Sequence, residues 1–212
     1  MRIISHRGYW KNSAEKNTIA AFTRSFSAGF GTETDFRDHQ GELFVAHDPP
    51  SSKPSVTAGE FFDTLLRINP SLPVAINVKS DGLQKMFKAV LERFLIDDYF
   101  LFDMSIPDTV CCLDAGLRVY TRQSDIEPHP LLYDQVAGVW MDSFGDESWI
   151  TVDTIERHLD TGKGVCLVSP ELHGRSYLPF WNCLLNDRLV HRPNLMICTD
   201  CPDQAREFFG YE

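Results

Sequence analysis

The feature that most restricts how this 212-residue chain can fold is an alternation of strand and helix, repeated eight times with little sequence left over. Short β-branched and aromatic runs at 2–7, 31–36, 73–79, 99–105, 118–124, 138–144, 164–172 and 194–200 read as strands. Helical spacing follows each of them, at 17–30, 58–68, 82–94, 106–116, 130–137, 151–162, 177–187 and 201–210. The segment 41–48, after the turn at "HQG", extends the second strand. Repeated βα units imply parallel strands. A count of eight predicts one closed (β/α)8 TIM barrel spanning 1–212, with an open doubly wound sheet as the alternative topology.

Composition excludes several function classes. Hydrophobic residues make up 43%, enough for a sizeable core, and the formal net charge of −10 argues against non-specific binding of nucleic acid or an anionic membrane surface. No run of about 18 apolar residues is present, so no integral membrane segment is expected. The N-terminus reads as a strand that begins at once, not as a signal peptide. Six cysteines show no disulfide spacing, and the C-x-x-C at 198–201 lacks the other half of a zinc site, so a reducing, cytoplasmic location is expected. There is no Gly-rich dinucleotide or nucleotide loop.

In a barrel, functional residues gather at the C-terminal ends of the strands. Those ends carry His6 and Arg7, Glu33 and Asp35, Asn77 and Lys79, Asp103, Arg122, Asp142, Glu171, and Asp200, with His173 and Arg175 just beyond Glu171. Glu33 and Asp35 are two apart, so on a strand they share a face and repel. A divalent cation such as Mg2+ or Ca2+, which prefers hard oxygen ligands, would relieve that repulsion. Arg7, Lys79, Arg122 and Arg175 supply the positive charge that an anionic substrate needs. Cation, basic residues and histidines together suggest phosphoryl chemistry. The loop "SPELHGRS" at 169–176 lies where barrels often hold phosphate. The bland reading of each such residue is an ion pair, for Arg175 one with Glu171. His39, His129, His158 and His191 read as exposed loop or helix residues.

"SHRG" at 5–8, "NTIAAF" at 17–22, "GTETDFRDHQGELFVAHDP" at 31–49 and "CTDCPDQAREFF" at 198–209 resemble the glycerophosphodiester phosphodiesterase family. The resemblance implies a (β/α)8 barrel and metal-dependent hydrolysis of small glycerophosphodiesters. It assigns His6 and His47 as the general acid/base pair, Arg7 to the phosphate, and Glu33 and Asp35 to the metal. Two positions depart from the family pattern. Asn77 stands where the family usually has a third metal-binding Glu, which lowers the charge around the cation and makes Glu171 or Asp103 a candidate for completing the set. The family's Glu-Asn-Thr is interrupted as "EKNT" at 15–18, displacing Glu15. The rival readings are a phosphomonoesterase acting on a glycerol or sugar phosphate, and a non-catalytic barrel that binds a phosphate ligand.

Overall fold

In the computed structural model, residues 1–50 and 55–210 are described. They form nine strands, β1 (Arg2–His6), β2 (Gly31–His39), β3 (Glu42–Val45), β4 (Val74–Val78), β5 (Tyr99–Phe102), β6 (Tyr120–Ser124), β7 (Gly138–Asp142), β8 (Gly164–Val168) and β9 (Leu195–Thr199). The helices are α1 (Ile19–Ser27), α2 (Ala58–Ile68), α3 (Gln84–Phe94), α4 (Ile106–Asp114), α5 (Val152–Asp160), α6 (Leu178–Asn186) and α7 (Pro202–Phe209). β3 is an antiparallel arm on β2, and the other eight strands with their intervening helices make the (β/α)8 barrel that the repeat count predicts.

The chain divides into two compact units. In Ser5–Val119 the strand order is β5-β4-β2-β1, with β2 and β4 parallel and β4 and β5 parallel. Leu101 of β5 also bridges in parallel to Val119, one residue before β6 begins. Helices α1, α2 and α3 of this unit share an aromatic layer with β2. Phe61 meets Phe22 at 4.8 Å and Phe36 at 5.7 Å, and Phe36 also packs on Phe62 and Phe87. All five rings are fully buried, and removing one such ring typically costs about 3–5 kcal/mol. This layer fixes which way β2 faces. Thr32, which bonds Ser25 of α1 at 2.9 Å, and Phe36 point toward the helices, so by strict alternation Glu33 and Asp35 point to the other face.

Threonine and serine caps start most helices. Thr18 accepts from Ala21 N–H, Thr57 forms a capping box with Glu60, Ser105 accepts from Asp108 N–H, and Thr151 accepts from Thr154 N–H.

The second unit comprises Met1–Ile4 and the chain from Tyr120 onward. Its strands β6, β7, β8 and β9 are parallel neighbours. Here one expected element is missing. The helix predicted over 130–137 is a run of turns, with Leu132 in the left-handed region at φ 52°. That distortion brings Tyr133 to a histidine. His158, expected on the surface, is buried: its Nε2–H donates to Gln123 Oε1 at 2.7 Å, and Tyr133 O–H lies 2.9 Å from Nδ1. Gln123 Nε2 donates to Pro128 O, which fixes the amide so that its oxygen faces the ring. Burial, with Arg157 as a second cause, holds the His158 pKa below its ordinary value of 6.5.

The histidine therefore folds in its neutral form. The unfolded chain takes up the proton first as pH falls, so the stability contribution is full above about 6.5 and is lost as pH drops toward the folded pKa. Melting curves should show a falling Tm between pH 7 and pH 5, and a smaller fall in His158→Gln. At pH 7, His158→Ala should lower Tm by roughly 2–12 °C, from the roughly 1–3 kcal/mol cost of leaving buried partners unsatisfied.

Candidate active site

Within Ser5–Val119, the strand ends gather one polar cluster. Glu33 and Asp35 are fully buried on β2, and Asp35 lies in register with Asn77 of β4. Arg7, just past β1, adopts φ 58°, which turns its N–H onto Glu33: it donates to the backbone oxygen at 2.9 Å and faces Oε2 at 3.3 Å. Its Nε stands 2.9 Å from Asp35 Oδ2, as an ion pair without hydrogen-bond alignment. Asn17, at φ 61°, donates its side-chain N–H to the same Oδ2 at 2.9 Å and accepts from Thr34 Oγ1. Lys79 Nζ lies 3.4 Å from Asp35 Oδ1 and 3.9 Å from Asp103 Oδ2. Asp103 sits at φ 73°. Three of the seven left-handed non-glycine residues among those described thus fall in this cluster, and such strain persists where surrounding structure enforces it.

The electrostatics are those of an acidic pair short of positive charge. Burial first, and then Asp35, push the Glu33 carboxyl up to about 7, against the opposing pull of His6, Arg7 and Lys79. Two buried oxygens, Asp35 Oδ1 and Asn77 Oδ1, accept no hydrogen bond. Unsatisfied buried polar atoms are uncommon and ask for an explanation. The donor set of two carboxylates and an amide consists of hard oxygens and fits a divalent cation of the Mg2+ or Ca2+ type. Among the described residues, no three His, Cys, Asp or Glu side chains come together to hold a metal ion, so the amide of Asn77 is needed to make a third ligand.

The two histidines differ in setting. His6 is mostly covered, its Nε2 lies 3.9 Å from Glu33 Oε2, and its carbonyl accepts the Trp10 indole N–H. Lys16 caps the Trp10 ring at 4.5 Å. His47 follows the β3 arm and is half exposed. Its Nδ1 lies 2.8 Å from Asp48 Oδ1, and its carbonyl accepts from Arg37. The preceding Ala46 donates its N–H to Asp35 O at 3.0 Å, which ties this end of the arm to the acidic strand. Glu15 turns away, as the interrupted motif predicts: it pairs with Arg24 at 2.7 Å and accepts from Lys11 N–H.

The remaining candidates lie in the second unit. Arg122 pairs with Glu127, and its guanidinium stands 5.9 Å from the Phe144 ring. Glu171 accepts from Ser169 and Thr199 hydroxyls and from Asp200 N–H, so its carboxylate clamps the strand ends of β8 and β9. Arg175 bonds Glu147, Ser143 O and Phe144 O, at 2.6 to 3.2 Å. Its partner is Glu147, not the Glu171 considered from sequence. His173 Nε2 is 2.7 Å from Asp142 Oδ1, with Phe144 edge-on to the imidazole. Thr18 caps α1, and its neighbour Asn17, which the strand-end pattern does not point to, holds Asp35.

No protein-family model matches the chain, and no curated protein sequence does. Solved structures do. A glycerophosphodiester phosphodiesterase from Agrobacterium tumefaciens aligns over 99% of this chain and 99% of its own, at TM-score 0.72 and 18% identity. One from Parabacteroides distasonis aligns over 99% and 96%, at TM-score 0.72 and 13% identity. An Oleispira antarctica phosphodiesterase, in complex with the product sn-glycerol-3-phosphate, aligns over 99% and 97%, at TM-score 0.67 and 15% identity. At these identities the similarity establishes the barrel fold.

The bonds of Arg175 predict its mutational behaviour. Arg175→Ala leaves Glu147 and two carbonyls without their donor and should lower Tm by roughly 2–12 °C, from a loss of about 1–3 kcal/mol. Arg175→Lys should recover only part of this, because an ammonium cannot reproduce the fork. Melting curves of the two variants check it.

Proposed function

We propose that the chain is a phosphodiester hydrolase acting on small glycerophosphodiesters, using the cluster built from His6, Arg7, Glu33, Asp35, Asn77 and Lys79 together with His47. The observation that carries this reading is the pair of buried oxygens without hydrogen bonds, Asp35 Oδ1 and Asn77 Oδ1, on register-matched positions of β2 and β4 with Arg7 and Lys79 beside them. It implies a cation and an anion sharing one site. The similarity to the barrels of glycerophosphodiester phosphodiesterases, one of them in complex with sn-glycerol-3-phosphate, supports the choice of substrate class.

Glu33, Asp35 and Asn77 would hold the divalent cation. When bound, it neutralises charge on the non-bridging phosphate oxygens and favours the ionised form of Glu33. The protein's own groups do the rest. Arg7 binds the phosphate through a planar fork that matches an oxygen pair. Lys79 adds a point charge on the same side. Asn17 keeps Asp35 from rotating, since it holds one carboxylate oxygen while leaving the other to face the site. His6 and His47 share the proton transfers. One takes the proton from the attacking water or from the neighbouring glycerol hydroxyl, and the other gives a proton to the departing alkoxide, so the alcohol leaves neutral. Asp48 holds His47 at Nδ1, which leaves Nε2 as the nitrogen that exchanges the proton.

A panel of diester and monoester substrates, run with Mg2+ and then Ca2+, tests the reading. Turnover of a glycerophosphodiester to glycerol phosphate and free alcohol is expected. Turnover of monoesters alone would move the assignment to a phosphomonoesterase. His6→Ala and His47→Ala should each lower kcat by about two to four orders of magnitude while the protein stays folded. A His47→Ala protein with wild-type kcat would remove that residue from the mechanism.

The cation set makes its own prediction. Asn77→Asp adds a charged ligand and should tighten Mg2+ and Ca2+ binding in calorimetry. Glu33→Gln and Asp35→Asn should each weaken it. Unchanged affinity in Asp35→Asn would exclude this cluster as the cation site.

A further inference from the structure

We propose that Asp103 is a positioning residue that receives the Lys79 ammonium when a cation enters the Glu33–Asp35–Asn77 site, and that this exchange sets the cation affinity. The inference rests on the phosphodiesterase reading above and adds to it a residue that is not a ligand. It starts from a conflict over one atom. Asp35 Oδ1 is the oxygen left without a hydrogen bond, and it is also the oxygen that Lys79 Nζ approaches, at 3.4 Å. A divalent cation on that oxygen would face a fixed positive charge at close range, which is unfavourable unless the ammonium moves. The second carboxylate near Nζ is Asp103, whose Oδ2 lies 3.9 Å away. Lys79 therefore lies between two carboxylates and can lean on either with a small side-chain motion.

The backbone builds this arrangement deliberately. Asn77 is in register with Phe102 of β5, so Asp103 is the first residue beyond the neighbour of the neutral ligand. It adopts φ 73°, a conformation that costs most side chains energy but that Asp and Asn tolerate. The position of Asp103 also answers a charge problem. With an amide at 77, the ligand set has two carboxylates, and one of them, Asp35, carries the Arg7 guanidinium on Oδ2 as well as the Lys79 ammonium near Oδ1. Giving Lys79 another carboxylate opens Asp35 Oδ1 to the cation and leaves Arg7 on Oδ2. Asp103 serves here without touching the cation, which agrees with the lack of a third acidic ligand among the described residues.

Calorimetric titration of Ca2+ and of Mg2+ into the wild type, D103N, K79Q, the D103N/K79Q double variant and D35N tests the exchange. Asn keeps the left-handed backbone, so D103N removes charge without forcing residue 103 to refold. D103N should weaken cation binding by about five- to ten-fold, and K79Q should tighten it by a similar factor, within the coupling expected of one ion-pair network. In the K79Q background, D103N should change affinity by less than about two-fold, because no ammonium remains to be received. An equal loss from D103N in both backgrounds would overturn the proposal and make Asp103 a ligand or a simple charge. So would wild-type affinity in D103N alongside a loss in D35N, which would leave the cation site itself standing. No binding to the wild type, or identical binding in D35N, would remove the cation site and the exchange together.

Discussion

Two carboxylates buried two residues apart on one strand are the constraint around which this half of the barrel is arranged. Each is fully buried, and Asp35 adds to the cost of ionising Glu33. The surrounding groups are of the kind that a buried negative pair recruits: an arginine, a lysine, a carboxamide and backbone N–H groups aimed at specific oxygens. The recruitment is incomplete. One oxygen of Asp35 stays without a hydrogen bond, and burial holds the Glu33 carboxyl up at about 7. A purely structural network would gain by closing that gap, since an unsatisfied buried acceptor costs about 1–3 kcal/mol. Its persistence gives the site a capacity for a further positive charge.

The barrel was legible in the sequence because its signal is repeated. Each strand run is short and apolar, most helices carry a Ser or Thr cap, and one misread unit does not disturb the count. The helix over Ala58–Ile68 appears with the bounds read from sequence, framed by a capping box. The unit after β6 was misread because "PLLYDQVA" has apolar spacing, while what decides its conformation is the docking of Tyr133 on a buried histidine. That docking is tertiary and leaves no local pattern. His158 was misread for the same reason. On a helix with Asp153, Glu156, Arg157 and Asp160 around it, a histidine looks like one more surface charge, and its burial is explained by Gln123 and Tyr133, both distant in sequence.

The membership of the strand-end cluster was legible to a similar depth. Residues that stand at strand ends could be named from the alternation alone, and His6, Arg7, Glu33, Asp35, Asn77 and Lys79 do meet. What the alternation could not supply was partnership. Arg175 finds Glu147 from 28 residues away, and Asn17 supports Asp35 across a helix-initiating turn. Both involve loops, whose paths have no periodicity to read. The one available hint for Asn17 was its type: an asparagine just before a helix cap tolerates a left-handed backbone, which is what aims its amide inward.

The β2–β3 arm has a consequence for how such a chain can diverge. The base of the arm is pinned twice, by the pairing of Phe36 with Val45 and by the Ala46 N–H on Asp35 O, while its tip turns at Gln40–Gly41. Residues added in matched pairs at the tip would lengthen the arm outward and leave the base in register, because strand faces repeat every two residues. An odd insertion within the paired stretch would instead roll one strand over and carry His47 away from the acidic strand. Length variants among descendants of this chain should therefore accumulate at the tip in even steps, so that the arm changes length by inheritance while the carboxylates at its base stay in place.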